Sequence, residues 1–405
     1  MVLKDNYSGG TVGQAYQYSG ELKNIKNYGE VTCKGNTCGG TVGYANKTVF
    51  NYVYNYGNIT GISDGKSYFG GVFGDIAYLD DKFVSNVYNY GNVSGDYRYI
   101  GGVTGNLSYA GLYNAYNYGT VTHTDSNSTT LGGIVGYGNS SSTLKNAGNQ
   151  GNISSSGYGK IGGVVGQTDG KVTNVYNYGN VSNEINNYSL YIGGIIGEGA
   201  ASNSYSIGNV STKNYNYGYA ALAFGYINGN SNMSNVYVVG DLTTNSSSSS
   251  NNKNVGTIFG NGSVSKDDKL KNFYAKAKIT GFYSTGLFAG YNSFYTWNSY
   301  HTSVDNLYID LYTDATDIDD NRTGATSDIY SNYYGSLGSS PNKKDFKLAQ
   351  QYDFSQVNGM WFRDTLKFDN NWKFANGVYP KLYKVLPNGS TTSELLEGQK
   401  DISIK

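Results

Sequence analysis

The chain has 405 residues, with 29 basic and 29 acidic side chains, 57 glycines and 43 tyrosines. Because the charge is balanced and forms no basic stripe, the composition predicts neither a nucleic-acid partner nor attraction to an anionic membrane surface. No segment reaches the roughly 20 consecutive apolar residues of a membrane-spanning helix, so we expect no membrane insertion.

The N-terminus leads directly into a repeat and lacks the apolar core of a secretory signal peptide. We therefore expect this sequence to be one segment of a longer exported polypeptide whose signal lies outside it. We expect the segment to be monomeric.

The chain contains two cysteines, Cys33 and Cys38, on either side of a Gly-Asn turn. This spacing favours a disulfide, which is typical of an oxidising, extracellular environment. Two free thiols are the alternative, and a catalytic redox pair is the least favoured interpretation.

A glycine-rich pentad recurs along the first half of the chain. Its copies are spaced by 30 or 31 residues and begin at Gly9, Gly39, Gly70, Gly101, Gly132, Gly162 and Gly193. A fixed period of this length is typical of stacked supersecondary units. The two residues between the glycines are mostly apolar and predict a short buried strand, and the double glycine permits a close approach of the backbone at a corner.

A tyrosine-rich octet, clearest as VYNYGNVS at Val175–Ser182, lies between successive pentads. Its first column is mostly apolar and its seventh is aliphatic throughout. Because these columns are six residues apart, both face the same side of a β-strand, toward the core. The third column is Asn in most copies, and we expect its amides to pair from coil to coil in the interior.

The second and fourth columns of the octet hold tyrosines that should form two rows on the outside. We predict these residues as a candidate binding surface, since phenol rings offer apolar area with hydroxyl groups. The competing interpretation is that stacking between coils merely stabilises the rod. The candidate residues are Tyr54, Tyr56, Tyr88, Tyr90, Tyr116, Tyr118, Tyr176 and Tyr178.

These patterns predict an all-β fold, a parallel β-solenoid of about 30-residue coils with an aromatic-rich C-terminal β cap. We assign residues 1–290 to the solenoid repeats, 291–389 to degenerate coils and the cap, and 390–405 to a tail or linker. All three tryptophans lie beyond residue 290, where short strands should close the open β-edge, and residues 345–352 suggest one helical segment.

The combination GGVVG with NVYNYGNVSG resembles the GLUG repeat family, glycine-rich repeats of bacterial surface proteins. The resemblance covers residues 10–290, and the ending NNWKFANGVYPKLYK is similar to the segment that often follows such arrays. Membership implies export to the bacterial surface, in adhesins, autotransporter-like passengers or the non-catalytic part of IgA-specific metallopeptidases. It does not imply one ligand.

The sequence predicts no catalytic residues, no metal site and no cofactor. The only histidines, His123 and His301, are far apart and neither lies in the HExxH motif of zinc proteases. No nucleophile elbow, phosphate-binding loop or pair of catalytic carboxylates is visible. The acidic run from Asp314 to Asp320 could bind calcium, but its irregular spacing favours a solvated acidic loop.

We therefore expect a non-catalytic, adhesin-like segment of a bacterial surface protein, contributing to virulence as a binding or spacer rod. Its expected partner is a host-surface or matrix protein or a glycan. Two alternatives stay open: a substrate-positioning region of a large secreted protease, and a carbohydrate-binding module that uses the tyrosine rows.

Overall fold

The protein is described by a computed structural model that covers residues 1–4, 6–62, 67–80, 82–186, 190–214, 218–227, 232–244, 254–262, 269–282, 284–286, 288–290, 304–313, 317–319, 329–334 and 353–404. The described residues are almost entirely β-strand, and equivalent strands of successive coils pair in parallel. The predicted parallel β-solenoid is confirmed. Three long sheets, named sheets A, B and C, form its walls.

Among the described residues, sheet A contains 19 strands and carries the octets. In the earlier coils a long and a short strand flank the Gly-Asn bend, and in later coils they merge into one. Its strands are Val2–Leu3, Glu21–Asn27, Val31–Cys33, Val49–Asn55, Ile59–Gly61, Phe83–Asn89, Val93–Gly95, Gly111–Asn117, Val121–His123, Thr143–Asn149, Ile153–Ser155, Lys171–Asn177, Val181–Asn186, Ser202–Ile207, Val210–Asn214, Met233–Thr244, Leu270–Thr280, Val304–Thr313 and Ile329–Tyr334.

Sheets B and C form the other two walls, with 11 and 9 strands in the part of the chain that the structure describes. Sheet B contains Tyr7–Gly9, Thr37–Gly39, Tyr68–Gly70, Tyr99–Gly101, Thr129–Gly132, Gly159–Gly162, Leu190–Gly193, Gly218–Ala221, Val255–Gly256, Ser284–Gly286 and Asp317–Asp319. Sheet C contains Val12–Tyr16, Val42–Asn46, Phe73–Ala77, Thr104–Ser108, Val135–Gly138, Val165–Thr168, Ile196–Glu198, Phe224–Ile227 and Phe259–Gly262.

The interior of the solenoid confirms the predicted columns. The seventh octet column is buried in every copy, and Ile59, Val121 and Val181 have no exposed surface. The third-column asparagines form the predicted inner ladder: the Nδ2 of Asn89 donates to Oδ1 of Asn117 at 2.7 Å and to the carbonyl of Gly91. Each buried amide is therefore satisfied by the next coil and by its own bend.

The pentad is a corner between sheets B and C, so the expectation that its two inner residues form one strand was wrong. Gly70 ends a strand of sheet B, Gly71 and Val72 make the bend, and Phe73 begins a strand of sheet C. A Cβ on Gly71 would lie 2.0 Å from the carbonyl oxygen of Gly102 in the next coil. The corner therefore requires glycine because successive backbones nearly touch there.

The C-terminal segment, residues 353–404, contains the 3₁₀ turn Phe354–Gln356, the helix Trp361–Asp364 and the antiparallel strands Trp372–Lys373, Lys381–Val385 and Thr391–Leu395. Its aromatic side chains pack on the flank of sheet A. Two expectations are corrected. The described part of the cap covers a side wall, and residues 391–395 form a strand where we expected a tail.

Candidate binding site: the tyrosine face

The outer surface of sheet A carries two parallel columns of tyrosines, which we name the tyrosine face. The register of sheet A aligns these residues from coil to coil. The first column contains Tyr54, Tyr88, Tyr116, Tyr176, Tyr205, Tyr237, Tyr274 and Tyr308, and the second contains Tyr28, Tyr56, Tyr90, Tyr118 and Tyr178. All eight tyrosines predicted from the sequence lie on this face.

Neighbouring rings in each column stack nearly parallel. The ring centroids of Tyr56 and Tyr90 are 5.0 Å apart with an interplanar angle of 3°, and those of Tyr90 and Tyr118 are 4.8 Å apart at 5°. Gly148 interrupts the first column between Tyr116 and Tyr176, and Gln150 interrupts the second between Tyr118 and Tyr178. Within the uninterrupted runs, rings of adjacent coils cover one another's faces, so the runs present ring edges and hydroxyl groups outward.

The C-terminal part of the tyrosine face, from Tyr116 to Tyr308, is covered by the C-terminal segment. Tyr116 and Tyr176 are 1% and 0% exposed, so the expectation that these two tyrosines form an outer binding surface was wrong. Together with the covering residues they form a second hydrophobic core outside the solenoid. Tyr118 and Tyr178, at its margin, are half-buried.

Aromatic side chains of the C-terminal segment meet the first column in edge-to-face, tilted and, for Tyr379 on Tyr237, stacked arrangements. Trp361 contacts Tyr308 at 4.7 Å with an interplanar angle of 84°, and Phe362 contacts Tyr274 at 5.1 Å and 74°. The incoming rings therefore reach the tyrosines at a range of interplanar angles, and aromatic contact is what these contacts share.

A second row of asparagines, the outer asparagine ladder, runs beside the tyrosine face and was missed from the sequence. It occupies the position immediately before the first octet column, so these asparagines are not part of the octet. Its members have φ between 48° and 63°, a left-handed conformation that Asn tolerates well. They are Asn86, Asn114, Asn146, Asn174, Asn203, Asn235, Asn272 and Asn306.

The outer asparagine ladder binds the backbone of the C-terminal segment. Asn146 donates from Nδ2 to the carbonyl of Val385 at 2.8 Å and accepts at Oδ1 from the N–H of Val385 at 3.1 Å. Asn174 donates to the carbonyl of Tyr383 at 2.8 Å. The remaining amide hydrogen of each asparagine pairs along the ladder, with Asn114 and Asn146 respectively.

The segment also crosses the tyrosine columns at close range. The hydroxyl of Tyr176 donates to the carbonyl of Glu397, and Nε2 of Gln150 donates to the carbonyl of Gly398 at 3.1 Å. Gly398 has a φ of 77°, and a Cβ there would lie 1.9 Å from Nε2 of Gln150. Only glycine fits this crossing without strain.

The N-terminal part of the tyrosine face comprises Tyr28, Tyr54, Tyr56, Tyr88 and Tyr90; Tyr88 packs against the margin of the C-terminal segment, and the other four lie beyond it. Tyr28, Tyr56 and Tyr90 are 69%, 39% and 40% exposed, and Tyr54 and Tyr88 are half-buried. A groove of about 380 Å³ opens at the margin of the segment, where Asn86, Asn114 and Tyr52 line it together with residues 384–387.

Glu397 marks the boundary between the two parts of the tyrosine face. Its Oε1 accepts a hydrogen bond from the hydroxyl of Tyr118 at 3.1 Å. Burial, and after it the negative charge of Glu397, raises the pKa of Tyr90 to about 12 and the pKa values of Tyr88 and Tyr118 further still. These hydroxyls are therefore neutral hydrogen-bond donors at physiological pH.

The two cysteines are joined by a disulfide, and both are fully buried. Two other buried groups have shifted acid–base properties. Burial raises the pKa of Asp75 in sheet C to about 7 and lowers the pKa of His123 in sheet A to about 4. Asp75 accepts a hydrogen bond from Asn106 at 2.7 Å, and Nδ1 of His123 lies 3.2 Å from Oγ of Ser155.

Several predictions from the sequence concern residues that the structure does not describe. His301, Asp314, Asp320 and the helical prediction for residues 345–352 lie outside the described residues. Within the described ranges, no cluster of three or more His, Cys, Asp or Glu is arranged to hold a metal ion. The helices described are too short and too polar to span a bilayer.

Fold and site together define the chain as a parallel β-solenoid with a C-terminal segment docked along one wall. No protein-family model matches it, and searches of curated proteins and of solved structures find no match either. The resemblance to GLUG repeats therefore depends on the repeat residues alone and stays a prediction.

Proposed function

We propose that this chain is a non-catalytic, adhesin-like rod of an exported bacterial surface protein, and that it binds its partner through the N-terminal part of the tyrosine face. The observation that carries the proposal is the set of stacked, uncovered tyrosines at Tyr28, Tyr56 and Tyr90. Exposed aromatic side chains of this density, continuous with an existing interface, are typical of a protein-binding surface.

Export is supported by the disulfide between Cys33 and Cys38, since such bonds persist in oxidising compartments. A non-catalytic role is supported by the positions of Asp75 and His123, whose pKa values burial shifts to about 7 and about 4. Both are buried, and they lie in different sheets. They form no shared acid–base pair.

A protein partner is favoured over a glycan by the stacking geometry. A sugar ring packs its C–H groups on an open aromatic face, whereas Tyr56 is sandwiched between Tyr28 and Tyr90 at 4.8 and 5.0 Å. Ring edges and hydroxyls suit aromatic and backbone groups of a polypeptide. The protease-region alternative has no observation in its favour among the described residues.

The proposal is tested by adhesion of the purified 405-residue chain to immobilised matrix proteins and to host cells. We expect saturable binding that falls at least tenfold in the variant Tyr56→Ala/Tyr90→Ala. The matched control is Tyr78→Ala/Tyr109→Ala, which removes an exposed stacked pair outside the tyrosine face. Absence of binding to every surface would refute the adhesive role.

A further inference from the structure

The covered part of the tyrosine face shows which kind of ligand this surface accepts. There it binds polypeptide of this chain: Trp372 and Tyr379 contact the ring of Tyr237, and the backbone of the extended strand Lys381–Val385 binds the outer asparagine ladder. The same two rows continue past the margin of the C-terminal segment without a change of register: Tyr88 pairs with Tyr116, and Asn86 accepts from Asn114.

Unused hydrogen-bond donors mark the continuation. A side-chain amide carries two N–H groups. In Asn146, Asn174 and Asn272, one pairs along the ladder and the other donates to a backbone carbonyl of the C-terminal segment. One N–H of Asn86 donates to Oδ1 of Asn51 at 2.8 Å, and one N–H of Asn114 donates to Oδ1 of Asn86 at 3.0 Å. The second N–H of each side chain has no acceptor among the described residues.

These donors open into the groove at the end of the segment. The groove is lined by Asn86, Asn114 and Tyr113 on the solenoid and by Val385 and Leu386 on the segment. A strand entering it would continue the interface that Val385 makes with Asn146. The exposed ring of Tyr90 and the half-buried ring of Tyr88 lie in the neighbouring columns.

From this continuity we propose that the N-terminal part of the tyrosine face, with Asn86 and Asn114, binds an extended polypeptide bearing aromatic side chains. The inference rests on the proposed adhesive function and names its partner class. The amides of Asn86 and Asn114 donate to backbone carbonyls of the ligand, and its aromatic faces pack on the edges of the tyrosines. Because the recognising groups are uncharged, binding should depend weakly on salt.

The probe is a fluorescently labelled synthetic peptide with the sequence of residues 371–386, which carries the aromatic and backbone groups that this surface already accepts in the same chain. It is titrated with the intact 405-residue chain and followed by fluorescence anisotropy. We expect saturable binding that is at least tenfold weaker in Tyr56→Ala/Tyr90→Ala and in Asn86→Ala/Asn114→Ala. The control Tyr78→Ala/Tyr109→Ala should bind like the parent chain.

Four results would overturn the inference. The first is no binding up to about 1 mM peptide, the limit of weak specific association. The second is peptide binding that neither Tyr56→Ala/Tyr90→Ala nor Asn86→Ala/Asn114→Ala weakens, together with faster hydrogen exchange in residues 372–385. That result would mean that the peptide displaces the docked segment. The third is that the chain binds members of an oligosaccharide panel but not the peptide, and that Tyr56→Ala/Tyr90→Ala abolishes the oligosaccharide binding. The fourth is self-association of the chain that the same variant abolishes.

Adhesion separates this inference from the proposed function. If the chain adheres to host surfaces, the peptide does not bind and Tyr56→Ala/Tyr90→Ala leaves adhesion intact, the polypeptide site is refuted; the adhesive role then stands, but on another surface of the rod. If the peptide binds as expected but the chain adheres to no surface, the adhesive function is refuted and the peptide site stands.

Discussion

The two parts of the tyrosine face have the same local geometry and different surroundings. Tyr205 and Tyr237 stack at 4.8 Å and 4°, almost as Tyr56 and Tyr90 do at 5.0 Å and 3°. Yet the first pair is 0% and 1% exposed, and the second is 39% and 40% exposed. Strand periodicity decides which way a side chain points, whereas burial depends on what folds over it afterwards.

The largest expected difference between the two parts comes from the aromatic interface. Phe362→Ala removes a fully buried ring that contacts Tyr237 and Tyr274. We expect it to weaken docking of the C-terminal segment by about 3–5 kcal/mol, the usual cost of deleting a buried phenylalanine. The measurement is native-state hydrogen exchange of residues 379–396.

The matched change in the uncovered part is Tyr90→Ala, which should lower the free energy of unfolding by less than about 1 kcal/mol because the ring is exposed. If Phe362→Ala and Tyr90→Ala cost the same free energy, the covered and uncovered parts of the tyrosine face contribute alike to stability.

A pH scan probes the walls of the solenoid near its uncovered part. The pKa of Asp75 is about 7 in the folded chain, above its ordinary value, so its contribution to stability falls as pH rises from about 4 to 7. The pKa of His123 is about 4, below its ordinary value, so its contribution falls as pH decreases from about 6.5 to 4. In the wild type these slopes oppose each other.

Single substitutions should separate the two slopes. In Asp75→Asn the free energy of unfolding should rise with pH between about 4 and 6.5, by about 3 kcal/mol. In His123→Ala it should fall with pH between about 4 and 7. Urea denaturation at a series of pH values measures both. Parallel curves for the wild type and both variants would mean that neither group is perturbed by burial.

A substitution in the inner asparagine ladder should lower the free energy of unfolding more than one in the outer ladder. Asn117→Ala leaves the buried amides of Asn89 and Asn149 without one partner each and should cost about 2 kcal/mol. Asn114→Gly, on the half-buried outer ladder next to the groove, keeps the left-handed backbone at φ 52° accessible and should cost about 1 kcal/mol or less because water can replace the lost bonds. Thermal unfolding followed by circular dichroism compares the two variants, and a larger loss for Asn114→Gly would reverse the assignment of inside and outside.

The smallest expected effect lies at the boundary of the two parts. Glu397→Gln removes the negative charge beside Tyr118 and should lower the pKa of Tyr90 only slightly, because burial is the larger cause. Site-resolved NMR titration of the Tyr90 ring, assigned by comparison with Tyr90→Phe, measures the change. Glu394→Gln, in the same segment but ion-paired with Lys384, is the control and should leave the titration unchanged.

The sequence predicted most of the solenoid because its core columns repeat with a strict period. Val121 and Val181 point inward in every alignment of the octet, and the inner ladder at Asn89 and Asn117 requires only that equivalent strands stack. The outer ladder was missed although its signal, an Asn column before the octet, was present. Residues with positive φ do not follow the alternation of a regular strand, so the periodicity could not predict which way these side chains point.

The C-terminal segment could not be placed from the sequence. Its aromatic residues predicted a buried cluster, but either an open end or a side wall would have covered them equally well. The contact between Tyr176 and the carbonyl of Glu397 joins residues 221 positions apart. No local pattern encodes such a pairing, because it depends on shape complementarity between two finished elements.

By itself, the sequence determined the solenoid, its core columns, its inner ladder and the outward direction of the tyrosines, since these follow from the period of a strand and the stacking of identical coils. Only the tertiary structure decided which tyrosines are surface and which are core. The reason is that residues 353–404 bury the face from Tyr116 to Tyr308 and end short of Tyr54, Tyr56 and Tyr90.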